Sequence, residues 1–141
     1  EPGEELPATE PEMSVLHIDG NDYIGYLSIP DLNLELPVMD QWDYSRLKKA
    51  PCLYYGSVYS NDMVIAAHNY NSHFGRLGSL TLGSSVIFTD AEGVAHQYQV
   101  AEIETLMPEA VEPMLNSGYD LSLYTCTYGG ASRVTVRCSR M

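Results

Sequence analysis

Three side chains far apart in the sequence, Cys126, His68 and Arg133, have the types needed for acyl transfer. A cysteine attacks as its thiolate, and a neighbouring cation favours that form. Cys126 closes the run Leu121-Ser122-Leu123-Tyr124-Thr125 and precedes a turn-like stretch containing Gly129-Gly130, which sets it at a rim that substrate can reach. Arg133 opens the next segment, so a hairpin would bring guanidinium and sulfur to the same end of a sheet. His68 closes the apolar run Met63-Val64-Ile65-Ala66-Ala67. An imidazole there can exchange a proton with the thiol and then protonate a leaving amine. His73 is the alternative base; His17 lies in the N-terminal stretch, and His96 reads as an exposed strand residue. Taken singly, each has an ordinary explanation: a buried cysteine, a surface arginine, a histidine that happens to end a strand.

The segments around these residues are short, rich in β-branched and aromatic residues, and broken by Gly, Pro, Asn and Asp. That is the pattern of an all-β fold. Strands are expected at 23–29, 34–38, 63–68, 85–89, 95–106, 121–126 and 133–138. Helical turns are expected at 43–49, with Asp43 as a cap, at 74–80, and at 109–116. These make an antiparallel barrel or sandwich with helical decoration. In the last strand Val134, Val136 and Cys138 alternate with Arg133, Thr135 and Arg137. The valine face must turn inward, so Cys138 is a core residue and Arg133 lies on the opposite, accessible face.

The chain has 141 residues, 45% of them hydrophobic with eleven tyrosines, enough for one core. Residues 1–22, rich in Glu and Pro, read as an extended acidic linker, and 23–141 as the folded domain. A net charge of −12 repels nucleic acid and anionic lipid. No apolar run is long enough to span a bilayer, and the start Glu1-Pro2-Gly3-Glu4 does not look like a natural beginning. Three cysteines give neither a disulfide scaffold nor the close pairs of a zinc site. The carboxylates lack calcium-loop spacing, so neither metal nor cofactor is expected. A Cys52–Cys138 disulfide is conceivable, with two buried thiols the preferred expectation.

Ser122-Leu123-Tyr124-Thr125-Cys126 resembles the Thr-Leu-x-Thr-Cys motif of sortases, and Ile65-Ala66-Ala67-His68-Asn69 resembles their Ile-Ala-Gly-His-Asn segment. Arg133 falls where that family has its essential arginine, and Gly25-Tyr26-Leu27-Ser28-Ile29-Pro30 looks like its opening strand. The resemblance runs from about residue 23 onward, with Ser122 in place of threonine and Ala67 in place of glycine. It implies a closed or nearly closed antiparallel β-barrel of about eight strands with one to three short helices. It further implies a cysteine transpeptidase. The enzyme would cut a sorting-signal peptide similar to Leu-Pro-x-Thr-Gly through a thioester and pass it to an amine of a peptidoglycan precursor or a pilin lysine. By the same resemblance, the enzyme would work on the extracellular face of the membrane, anchored by a segment outside this sequence. The compact 127–132 loop and the short turn at 91–93 imply a distinct peptide groove, and Thr127-Tyr128 is similar to class B members. Leu6-Pro7-Ala8-Thr9-Glu10 resembles the sorting signal itself, although chance within a Pro- and Glu-rich tether is the plainer explanation. The competing expectations are a thiol hydrolase using the same residues, a non-catalytic peptide-binding barrel, and a structural wall protein.

Overall fold

Alternating apolar residues force most of the described residues into strands that bury one face, and a few double-sided strands bury both. The computed structural model describes residues 14–42, 44–47, 49–59, 62–68, 77–106, 119–126 and 133–141. Nine strands are described: β1 (Leu16–Ile18), β2 (Asn21–Ile29), β3 (Leu34–Met39), β4 (Cys52–Tyr55), β5 (Met63–His68), β6 (Ser85–Asp90), β7 (Ala95–Leu106), β8 (Leu121–Cys126) and β9 (Arg133–Arg140). A short helix α1 (Tyr44–Leu47) and two 3₁₀ turns, Pro30–Leu32 and Leu77–Ser79, decorate them. All seven expected strands are present with limits within about two residues of those expected, and β5, β7 and β8 match at both ends.

The sheet order is β1-β2-β3-β4-β5-β8-β9-β7-β6, and β6 pairs back onto β2, closing an eight-stranded barrel with β1 as an extra strand. Closure depends on Gly25, whose φ is +152° beside a bulge in the β2–β3 pairing. A Cβ at that position would lie 2.0 Å from the Thr89 carbonyl oxygen, so only glycine lets β2 approach β6 this closely.

Most pairings are antiparallel, but β5 and β8 run parallel through six residue pairs. Parallel strands are covered on both faces, and these two carry the near-continuous apolar runs such burial requires. Met63, Ile65, Ala67, Leu121 and Leu123 face the barrel interior with Leu27, Phe88, Val136 and Cys138. Val64, Ala66 and Tyr124 point outward into a second cluster with Met39, Ala50, Cys52 and Leu47 of α1. Of the helix expected at 43–49, α1 covers four residues, and its Leu47 packs over the outside of β5 and β8. Of the turn expected at 74–80, Leu77–Ser79 forms a 3₁₀ turn; the expected turn at 109–116 and Asp43 lie outside the described residues.

Within the segment read as linker, residues 1–13 lie outside the described residues, while 14–22 lead into a hairpin. Asp19 and Gly20, both at positive φ, form the two-residue turn between Ile18 and Asn21. This is the mirror-image turn geometry that suits a twisted hairpin.

Candidate active site

The strand ends of β5 and β8 meet in register: backbone position His68 pairs with Cys126, following Ala66 with Tyr124 and Ala67 with Thr125. On the other side of β8, β9 pairs antiparallel, with Thr135 opposite Tyr124 and Arg137 opposite Ser122. That pairing stops at Thr135 and Tyr124, and the first residues of β9 and the last of β8 extend past it at the same end of the sheet. The amide of Val134 donates to Thr125 Oγ1 at 3.2 Å, holding the two strands together one residue from their ends. The three sequence-selected positions thus share one end of three adjacent strands. The side chains of Cys126, His68 and Arg133, and the whole of His73, lie outside the described residues.

The ground beneath this end is rigid and aromatic. Tyr124, 1% exposed, meets Tyr54 edge-on with ring centroids 5.3 Å apart, and Tyr54 in turn lies 5.4 Å from Trp42. Edge-to-face rings and the packed side of α1 fix β8 from outside while Leu121 and Leu123 fix it from within.

One expectation for β9 is corrected. The face opposite the valines was expected to be accessible, yet Thr135 is fully buried and Arg137 is 1% exposed. Arg137 is well partnered there: its Nε donates to Glu104 Oε2 at 2.6 Å and its Nη1 to Ser122 Oγ at 2.9 Å. Glu104 of β7 and Ser122 of β8 flank Arg137 on this face of β9, and a guanidinium with several donors can be satisfied there where a lysine could not. Ser122, the residue that departs from the familiar motif, is the hydroxyl that receives it.

His96 is a second correction, since it was expected to be exposed and its side chain is only 13% exposed. Its Nε2 lies 2.9 Å from Asp90 Oδ2, and Arg140 Nη1 lies 3.1 Å from Nδ1. Because a guanidinium only donates, Nδ1 is the bare nitrogen and Nε2–H donates to Asp90. Burial works to raise the Asp90 pKa, but the hydrogen bonds from His96 and the amides of Val94 and Glu92 outweigh it, leaving the carboxyl below its ordinary 3.8. This trio sits where β6 ends and β7 begins, at the opposite end of β9 from Arg133. His17, 79% exposed, contacts Asp22 in the first hairpin.

Cys138 is inside the barrel and fully buried, and burial pushes its thiol pKa up to about 12. Cys52 is also buried, but in the outer cluster, where its thiol reaches the Ala50 carbonyl at 3.4 Å. The two thiols lie on opposite faces of the sheet, and no disulfide joins them. Among the described residues no group of three or more His, Cys, Asp or Glu is arranged to hold a metal ion. Among them, too, no helix is long and apolar enough to cross a membrane.

A family model described as the sortase domain matches residues 27–141. No curated protein matches the chain. Several solved structures do. Sortase C of Streptococcus pneumoniae is 27% identical with a TM-score of 0.72, over 84% of this chain and 66% of that one. Sortase C1 of Streptococcus agalactiae is 28% identical with a TM-score of 0.74, over 88% of this chain and 70% of that one. Sortase A of Corynebacterium diphtheriae superposes with a TM-score of 0.73 at 24% identity, over 86% of this chain and 61% of that one, a likeness of fold. The chain spans just under two thirds of the pneumococcal enzyme's length, at 66%.

Proposed function

The chain belongs to the sortase family, and from that premise we propose that it is a cysteine transpeptidase with Cys126 as nucleophile, His68 as acid and base, and Arg133 as oxyanion donor. The single observation that supports this most is the pairing of His68 with Cys126 at the joint end of β5 and β8. Two strand-end residues paired across a sheet stand close enough for an imidazole and a thiol to exchange a proton.

In this reading the Cys126 thiolate attacks the carbonyl carbon of a threonine in a sorting peptide, and the C=O electron pair moves onto oxygen. Arg133 donates hydrogen bonds to that oxyanion; a planar donor fork of permanent charge suits the task. The intermediate collapses, the C–N bond breaks, and the departing amine takes a proton from the His68 imidazolium, leaving a thioester. An incoming amine, from a peptidoglycan precursor or a pilin lysine, gives a proton to His68 and attacks the thioester, and the Cys126 thiolate leaves. The pneumococcal sortase C structure bears on pilin substrate specificity, and likeness to that enzyme favours a protein lysine among these acceptors. Such work belongs on the extracellular face of the membrane.

A quenched fluorogenic pentapeptide of Leu-Pro-x-Thr-Gly type, with and without an added amine, tests the assignment. Turnover that disappears in Cys126→Ala and His68→Ala, and falls about 10²- to 10³-fold in Arg133→Lys, is expected. Amine-ligated product identifies transfer, and free acid alone identifies a thiol hydrolase. Peptide bound tightly but never cut, with Cys126 labelled no faster than the buried thiols, identifies a non-catalytic binding barrel and overturns the enzyme reading.

A further inference from the structure

Across the barrel from Cys126 lies a groove that the chemistry above leaves unused. In the closed ring of eight strands, β2 and β8 are four strands apart by either route, so they form opposite walls. On the β2 wall a groove of about 590 Å³ is lined mainly by apolar groups, among them Leu16, Ile18, Tyr23, Tyr26 and Pro37, with Gly25 in its floor. That volume falls within the range of ordinary ligand sites. Leu16 is 45% exposed, Ile18 50% and Tyr26 42%, an apolar strip left open to water.

Two further features narrow what fits it. First, β1 pairs with β2 on one edge, and among the described residues no strand pairs with its other edge, so a row of backbone donors and acceptors borders the groove. Second, this wall has one sign of charge. Residues 14–42 and 85–95, which supply β1, β2, β3 and β6, contain seven Asp and Glu and no lysine or arginine. Asp19, Asp22, Asp90 and Glu92 lie next to lining residues in the sequence, and Asp90 lines the groove itself. The chain's seven lysines and arginines are all at positions 46–49, 76 and 133–140.

We propose that this wall docks a basic, extended segment of a partner protein, which adds a strand to the free edge of β1 and seats alternate apolar side chains on Leu16 and Ile18, at the mouth of the groove. Main-chain pairing supplies affinity in this mode, and the alternate side chains supply selectivity. The acidic wall adds attraction for lysine or arginine on the other face of the segment. The chain's own residues 1–13, with five glutamates and no lysine or arginine, carry the wrong sign for the groove. A second copy of this chain presents the same acidic wall and is repelled in the same way.

The probe is a fluorescein-labelled ten-residue peptide alternating lysine with leucine, its control the same peptide with glutamate for lysine, read by fluorescence anisotropy on the full chain. The lysine peptide should bind and the glutamate peptide should not. Leu16→Ser/Ile18→Ser should weaken binding about tenfold, since it removes two half-exposed apolar anchors. Raising salt from about 50 to about 300 mM should weaken it several-fold. Amide shifts on binding should concentrate in β1 and β2. Because both substituted residues are exposed, circular dichroism should be unchanged, and cleavage of the fluorogenic pentapeptide should match wild type, so failure of this proposal is separable from failure of the enzyme assignment. Equal binding of the two peptides, undiminished binding by the double variant, shifts at the β5–β8 end instead, or dimerisation through β1 in place of peptide binding would each overturn it.

Discussion

Arg137 carries a full charge at 1% exposure, so its partners decide whether it is tolerable. Truncating one member of a buried ion pair strands the other, at a cost of about 3–5 kcal/mol when both are dry. Here Glu104 is 32% exposed and can regain water, so Arg137→Met should cost less, ~2–3 kcal/mol. Adding Glu104→Gln should return part of that loss, and Arg137→Lys, which keeps the charge but not the fork reaching Ser122, should fall between. Urea unfolding of the four proteins measures the order; a double variant as unstable as Arg137→Met alone would show that packing, not the pair, sets the cost. Asp90 gives a second test through pH. Its folded pKa lies below the ordinary 3.8, so the folded state holds the ionised form better than the unfolded chain does. That stability is present above about pH 3.8 and drains away as pH falls through the lower folded value. Asp90→Asn should therefore lower stability at neutral pH and show a shallower acid decline than wild type in thermal melts between about pH 5 and about pH 2.5.

At the scale of elements, Gly25 is the point where the barrel shuts. Alanine there would need a φ of +152° and would drive its Cβ into the Thr89 carbonyl, so β2 and β6 must part or the bulge must move. Gly25→Ala should cost at least ~3 kcal/mol, more than the ordinary glycine-to-alanine penalty at a left-handed position, and should speed hydrogen exchange at the β2–β6 pairing. Gly93→Ala, with open space around it, should cost only the conformational strain. Much of this architecture is legible in the sequence, because β5, β7 and β8 carry their signal in apolar runs or alternation that tertiary contacts only reinforce. β4 is not, since Pro51-Cys52-Leu53-Tyr54-Tyr55 is four residues of strand behind a proline, held by partners on both sides. β1 is hidden although Asp19-Gly20 is a strong hairpin pair, because the acidic, proline-rich composition before it carries the signature of a tether. The covered face of β9 cannot be read from alternation, which separates faces without saying whether the second has a lid. Of the proposed site, what is legible is that the three positions stand at strand ends, from the apolar runs that lead to them. The helix lying over Tyr124 is visible as a helix but not as its cover.

Across the whole molecule the sheet separates two cores, one inside the barrel and one between β5, β8 and α1, and the cysteines sample each. Cys138 belongs to the inner core, which includes residues from seven of the eight barrel strands, so its thiol reaches solvent only when the barrel opens. Cys52 belongs to the outer core, whose cover is a helix of four residues and the loop to Ala50. A cover that small has little buried area to hold it down, so it opens at a fraction of the global unfolding free energy. Alkylation by a thiol reagent, followed residue by residue with mass spectrometry, should therefore proceed in three phases. Cys126, if it is the activated nucleophile proposed above, reacts first. Cys52 follows at a rate that Leu47→Ala raises by roughly tenfold or more, since loss of a buried leucine costs ~2–5 kcal/mol and falls on the opening of this layer. Cys138 comes last, at a rate set by global unfolding, so mild urea should accelerate it far more steeply than Cys52. If Cys52 and Cys138 instead react together with the same urea dependence, the two cores melt as one unit, and α1 is as integral to the fold as any strand.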